Sequence, residues 1–377
     1  MNTKECRSRI VDEFIELTQI DAVSYRERKI ADVLKEKLLQ LGFEVQEDQA
    51  GTAYGSSTGN LYGFLKGSLP GGAILLCAHM DTVEPGLGKH AVFHENGKIT
   101  SSGDTILGAD DVCGLVEILE AVRILKEKQI PHRDIEVVFP IAEEVFIKGT
   151  DQLDFTKLRA KEAYVLDLSG APGSAALRAP SLISFSVTVK GKAAHAGFNP
   201  EKGIHAIQIM SQVIAGLPMG HVGDDTTFNI GTVAGGKLVN IVPEECTCKG
   251  EIRSYSHQKA LELLEKIRAS FEKAVREKGG SFSMEHEVNL HAYETDRETP
   301  VVKRFERACE RLSLPCTLTE TFGGSDNNNF ALHGISGLVI SCGMYQCHST
   351  LEYTYEKDLK TGAALVAALV SERETEL

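Results

Sequence analysis

The sequence predicts an α/β protein: a layered, mixed-sheet domain interrupted by an inserted α+β domain of βαββαβ order. Three observations predict it. Short, wholly apolar runs of strand length recur between helical patterns, as strands buried on both faces do. Between about residues 181 and 290 the apolar spacing changes to period two, the mark of half-solvated strands. A length of 377 residues also exceeds what one hydrophobic core usually organises. The layered domain is therefore assigned to 1–180 and 291–377, and the insert to 181–290. One large α/β domain with a long excursion is the alternative.

Taken in order, residues 9–19 read as a helix with Ile10, Phe14 and Leu17 on one face. A second helix starts at Ser24, where Ser24 and Glu27 fit a capping box, and Gly42 supplies its stop. The buried runs are Ala73–Ala78, Ile135–Phe139, Ala163–Leu166 and Gly337–Ser341, with helical patterns at 114–128, 299–313 and 357–373. In the insert, Leu182–Val189 alternates with period two, and a helix follows over Gly203–Gly216. Strands are then expected over Thr227–Ala234 and Glu245–Ser254. A helix capped by Ser256, with Leu261, Leu264, Ile267 and Phe271 on its face, leads to a last strand over Ser281–His291. That order describes one sheet carrying two helices on one face.

Composition excludes several classes. Fifty-three acidic residues against 40 basic ones give a net charge of −13, which repels nucleic-acid phosphates and anionic membranes. No apolar run approaches the roughly 20 residues of a spanning helix. The N-terminus passes straight into a charged amphipathic pattern, and nine cysteines lie scattered without framework spacing. Both point to a reduced, cytoplasmic chain. Cys246 and Cys248 have no second pair at zinc-finger spacing, so no structural zinc is expected there.

Chemistry concentrates at the ends of the buried runs. His79 and Asp81 follow the first, Glu143 and Glu144 the second, Asp167 the third, and His348 lies beyond the fourth. Asp110 and Asp111 precede a helix. In open α/β sheets the carboxyl ends of the strands form the ligand crevice. Two His with several carboxylates suit zinc first, then cobalt or manganese. The carboxylates are too many for one tetrahedral zinc but fit two ions bridged by a carboxylate and a water. In His79-x-Asp81 both side chains share one side of an extended strand end, so Asp81 can accept from the imidazole and fix its tautomer. Adjacent Glu143 and Glu144 point apart, which lets one bind metal while the other faces a water.

His79-Met80-Asp81-Thr82-Val83, Gly108-Ala109-Asp110-Asp111, Glu143-Glu144, Asp167 and His348-Ser349-x-x-Glu352 resemble the metal-site motifs of the M20 dizinc metallopeptidases, above all their peptidase T branch. Supporting stretches are Thr58–Leu61, Gly191–Gly197, Gly250–Ser254 and Gly323–Asp326, all in the family's order. The resemblance implies a catalytic domain split by a lid and dimerisation domain, two zinc ions per subunit, and a homodimer. It makes His79 and Asp167 ligands of one zinc, His348 and Glu144 ligands of the second, and Asp110 the bridge, often followed by a cis peptide. Asp81 stands behind His79, and Glu143 is the general base. His195, Asn240 and Arg253 on the lid, with the turn Gly324-Ser325, would bind substrate, His195 reaching a neighbouring subunit's site. One departure is Val112, where peptidase T relatives usually carry Lys; it leaves the ligands intact and removes a charge contact.

The implied activity is metal-dependent aminopeptidase hydrolysis of short peptides, tripeptides above all. A related dipeptidase or N-acyl amino-acid hydrolase would share the metal set and differ in the lid. A catalytically silent metal-binding protein is opposed by the presence of both Asp81 and Glu143. A nucleotide-binding protein is opposed by the lack of a phosphate-cradling glycine motif.

Overall fold

A computed structural model describes residues 7–371. The apolar runs become the middle of an eight-stranded sheet ordered Glu44–Glu47, Leu61–Leu65, Ile135–Phe139, Ile74–Cys77, Glu162–Leu168, Ser336–Ser341, Ser174–Ala176 and Thr317–Thr319. The four central strands run parallel, so their carboxyl ends emerge at one edge. Antiparallel neighbours on either side make the sheet mixed. Every residue of Ile74–Cys77 and Ile135–Phe139 is buried, as continuous apolar strands require. The helices Ala109–Glu127 and Glu356–Val370 pack together, with Arg9–Thr18 and Pro300–Arg311 against them. Phe14, Leu76, Ile118, Phe139, Tyr164 and Phe305 belong to the one apolar core of this unit.

That unit comprises the described residues up to Arg178, then Glu294–Thr321 and the chain from Ser325 on. A second unit, Ala179–Tyr293 with Phe322–Gly324, interrupts it. Its five-stranded antiparallel sheet runs Gly220–His221, Thr226–Gly235, Glu245–Ser254, Ser181–Lys190 and Ser281–Leu290. The inward residues of the period-two strand, Ile183, Phe185, Val187 and Val189, meet Met210 of the helix Ala206–Ala215 and Leu264, Ile267 and Phe271 of His257–Lys278. Among the described residues, no helix is long and apolar enough to cross a membrane.

The structure departs from the sequence expectations in three places. The second helix begins at Arg28, not Ser24, and Ser24 with Glu27 makes no capping box; both side chains are bonded elsewhere. The helix expected from residue 114 starts at Ala109, although Asp110 and Asp111 lie off helical dihedrals. A three-stranded sheet of Ala91–Phe93, Lys98–Ser101 and Tyr353–Tyr355 had no apolar pattern to announce it.

Candidate metal centre

The parallel strands deliver their polar ends to one place. His79 lies just past Ile74–Cys77, Glu143 and Glu144 just past Ile135–Phe139, and Asp167 within the end of Glu162–Leu168. The loop beyond Ser336–Ser341 brings His348, in a left-handed conformation (φ 61°). Asp110 sits at the head of the helix Ala109–Glu127, and the Asp110–Asp111 peptide is cis. His79 Nε2 lies 3.1 Å from Asp110 Oδ1, and His348 Nε2 lies 3.2 Å from Asp110 Oδ2. Glu144 Oε1 approaches the same His348 nitrogen at 3.1 Å. The ligand atoms of His79, Asp110 and Glu144 fall within 4.8 Å of one another, as do those of His79, Glu143 and Asp167.

Asp81 acts differently from the sequence reading. His79 Nδ1 bonds the backbone carbonyl of Asp81 at 2.9 Å, while the Asp81 carboxylate is 3.5 Å away. That carboxylate instead accepts the Glu143 N–H at 2.9 Å, the Glu144 N–H at 3.2 Å and the Ser24 hydroxyl at 2.7 Å. The imidazole tautomer is set by a carbonyl, and the carboxylate holds the turn carrying Glu143 and Glu144.

The remaining predicted residues divide between the two units. In the inserted unit, His195 is exposed; its Nδ1 accepts from the N–H groups of Gly197 and Phe198, which leaves Nε2 as its donor. Asn240 is exposed beside it, its carbonyl accepting from Ala196. Arg253 is engaged within the unit by Glu251 at 2.9 Å and by the Phe322 carbonyl at 2.8 Å. Gly324 lies against Leu290, where a Cβ would come within 2.1 Å of a methyl carbon, so a larger residue would require the Leu290 side chain to shift. Ser325, in the other unit, is buried, and its N–H is committed to the Asn328 side chain at 3.1 Å. The Gly324-Ser325 turn thus holds its serine donor for its own structure.

Residues 179–279 match the M20 peptidase dimerisation domain, and residues 60–208 match the peptidase family M28 model. An uncharacterised Bacillus subtilis protein is 38% identical, covering 97% of this chain and 98% of its own. The crystal structure of aminopeptidase PepT from Bacillus cereus is 37% identical with a TM-score of 0.91, covering 96% of this chain and 97% of that one. A Staphylococcus aureus tripeptidase is 32% identical with a TM-score of 0.93 over the same shares. The chain belongs to the M20 peptidases, on their peptidase T-like branch. It is a metallo-exopeptidase by that membership.

The peptidase's own atoms show whether a cation suits the cluster. A neutral imidazole donates through one nitrogen only. His79 faces acceptors at both, Asp81 O and Asp110 Oδ1, so one position requires either an extra proton or a metal ion. Among the described residues, buried Glu144 Oε1 has no hydrogen-bond partner, although His348 Nε2 is 3.1 Å away. Burial pushes the Asp167 and Glu143 carboxyls well above the usual range, and Glu144 in the same direction. For Asp110 burial acts the same way, but the hydrogen bonds from His348 and His79 outweigh it and hold it low. Asp110 and Glu144 push His348 up to about 10. So many buried carboxylates on two imidazoles form a donor set short of positive charge, and divalent cations fit it.

Several supporting residues of the peptidase escaped the sequence reading. Asp111 is buried and accepts the His79 N–H at 3.1 Å. Asn60 donates to the Gly149 carbonyl at 2.8 Å and accepts from Ile141 at 3.1 Å, tying both ends of the Glu143–Glu144 loop. Asp326 accepts from Thr150 at 2.7 Å. Adjacency to Asp110 was the signal for the first, and the Thr58–Leu61 and Gly323–Asp326 stretches were the signals for Asn60 and Asp326.

Proposed function

We propose that this chain is a dizinc aminopeptidase that releases the N-terminal residue of short peptides, tripeptides above all, and works as a cytoplasmic homodimer. The observation that carries the reading is the convergence of His79, Asp110, Glu144 and His348 within contact of one another, with Glu143 beside His79 and Asp167. His79 with Asp167, and His348 with Glu144, would each hold one ion, and Asp110 would lie between them. When bound, the ions would supply Lewis acidity, polarising the scissile carbonyl and acidifying water from about 15.7 toward 7. Cobalt or manganese would satisfy the same donors.

The protein's own groups do the rest. Glu143 takes the proton of the attacking water and returns it to the leaving amine, a role for a carboxyl already displaced upward by burial. Asp81 keeps Glu143 and Glu144 pointing apart by holding both their N–H groups. His195 offers Nε2–H from an exposed loop as a donor to developing oxyanion charge. Asn240 and Arg253 would take the substrate's carboxylate end, Arg253 by exchanging Glu251 for it. Supporting the dimer are the match to the dimerisation domain and the exposed apolar side chains Phe198, Val233, Leu238 and Val239 of the inserted unit.

The test is metal analysis together with Ala-Ala-Ala hydrolysis before and after chelation, with N-acylated amino acids assayed in parallel. Activity on the tripeptide that vanishes on chelation and returns with zinc supports the reading. Activity untouched by complete metal removal overturns the mechanism, and preference for the N-acylated substrates overturns the aminopeptidase assignment.

A further inference from the structure

The Ser24-x-x-Glu27 motif is not spent on capping a helix. Glu27 is fully buried, and a single oxygen, Oε1, accepts the Tyr25 N–H at 2.7 Å and the Ala142 N–H at 3.1 Å. Both donors belong to residues with left-handed backbones, φ 69° at Tyr25 and 52° at Ala142. Non-glycine residues adopt that conformation only where their surroundings enforce it. Ala142 directly precedes Glu143 and Glu144, and Phe146 and Ile147 in the same turn also have positive φ. Asp81 grips the far side of this turn through the N–H groups of Glu143 and Glu144, and Ser24 donates to Asp81. Ser24 and Glu27, three residues apart on the segment leading into the helix Arg28–Gln40, thus reach the turn from two directions.

We infer that Glu27 is a positioning residue: by reach rather than charge, its Oε1 fixes the Ala142 backbone and so the directions in which Glu143 and Glu144 leave the turn. This rests on the roles given above to Glu143 and Glu144. Reach is indicated because, among the described residues, the second oxygen, Oε2, has no hydrogen-bond partner and no cation pairs with the carboxylate. Burial and the nearby Asp81 also push the carboxyl up to about 7, so a neutral group is tolerated at this position. A carbonyl oxygen has two lone pairs and can accept both N–H groups alone.

Two substitutions separate reach from charge. Glu27→Gln keeps an oxygen at the same distance and removes the charge; Glu27→Asp keeps the charge and withdraws it by one methylene. The readouts are hydrogen–deuterium exchange of the 142–147 amides in the substrate-free protein, and metal retained after dialysis against a weak chelator. Glu27→Gln is expected to match the wild type in both. Glu27→Asp is expected to exchange the turn at least about tenfold faster and to lose metal more readily. Wild-type protection in Glu27→Asp, or equal loss in both variants, overturns the proposal. If Glu27→Asp does not fold, Glu27→Gln decides alone: a protected turn supports the proposal and an unprotected one overturns it. Exchange is read without substrate, so a chain inactive on tripeptides would sink the proposed function and leave this result standing.

Discussion

Glu352 Oε1 accepts the backbone N–H of Asp110 at 3.0 Å, joining positions 242 residues apart in the chain. Its other oxygen accepts the Gly108 N–H at 2.6 Å. Glu352 follows His348 by four residues, so one carboxylate couples the loop bearing His348 to the loop bearing Asp110. Glu352→Ala would leave two buried N–H groups unpaired, at about 1–3 kcal/mol each. The expected outcome is a loss of about 3 kcal/mol in urea unfolding, together with weaker metal retention. An Ala variant as stable as the parent would show that water replaces the carboxylate without cost.

Removing Glu143 separates catalysis from metal binding. Glu143→Ala deletes a carboxyl beside His79 and Asp167 but leaves the N–H that Asp81 accepts. Metal content should remain near the parent's while kcat on Ala-Ala-Ala falls by about 10²–10⁴-fold, the range for a general acid–base group. Metal analysis and steady-state kinetics on the same preparation check both halves. A variant that loses metal in proportion to activity would make Glu143 a ligand instead.

How much of this was legible beforehand depended on the length and regularity of the pattern. Ile74–Cys77 and Ile135–Phe139 were readable because burial on both faces forces an unbroken apolar run. The inserted strand Ser181–Lys190 was readable because one face alone is packed. Ser174–Ala176, Thr317–Thr319 and Tyr353–Tyr355 are three residues each, too short for any period, and neighbouring strands decide them. In the site, the residues at strand ends were readable because the parallel topology fixes where those ends go. Ser24 and Glu27 were misread because a capping box and a long-range anchor share one spacing. Only their partners, Asp81 and Ala142, tell the two apart. The sequence likewise named Asp81 as the partner of His79 but could not show that its carbonyl, not its carboxylate, makes that bond.

The buried carboxyls also set a pH dependence for the metal-free protein. Burial pushes Glu27 from 4.5 and Asp326 from 3.8 up to about 7 in the fold. The native state therefore binds more protons than the unfolded chain between those limits, and stability must fall as pH rises through that window. Lys89, lowered to about 8 by burial, titrates above the window and does not offset the trend. Chelated protein is expected to melt at a higher temperature near pH 5 than near pH 7.5. Metal-loaded protein should show the trend weakened or reversed, because ligation favours deprotonated donors. Melting curves across pH with and without chelator check this, and a chelated protein that gains stability toward pH 7.5 would contradict it.

Gly362 tests how the helix behind Asp110 is seated. It lies on Glu356–Val370 where that helix crosses Ala109–Glu127, and a Cβ there would stand 2.0 Å from the Glu117 carboxyl carbon and 2.1 Å from each of its oxygens. Glu117 is fully buried, its Oε1 has no hydrogen-bond partner among the described residues, and burial raises its carboxyl well above the usual range. A methyl group at 362 and the Glu117 carboxyl would compete for one buried space, where the two helices pack and Asp111 lies close enough to act on the carboxyl. Gly362→Ala should therefore cost about 1–3 kcal/mol through overpacking, more than cancelling alanine's better helix propensity of about 1 kcal/mol. Shortening Glu117 removes the obstruction, so Glu117→Ala in the Gly362→Ala background should recover much of that loss. A double-mutant cycle in urea measures the coupling. Additive effects of the two substitutions would mean that the helices move apart to admit the methyl group, and the Asp110 end of the helix would then show it as reduced metal retention.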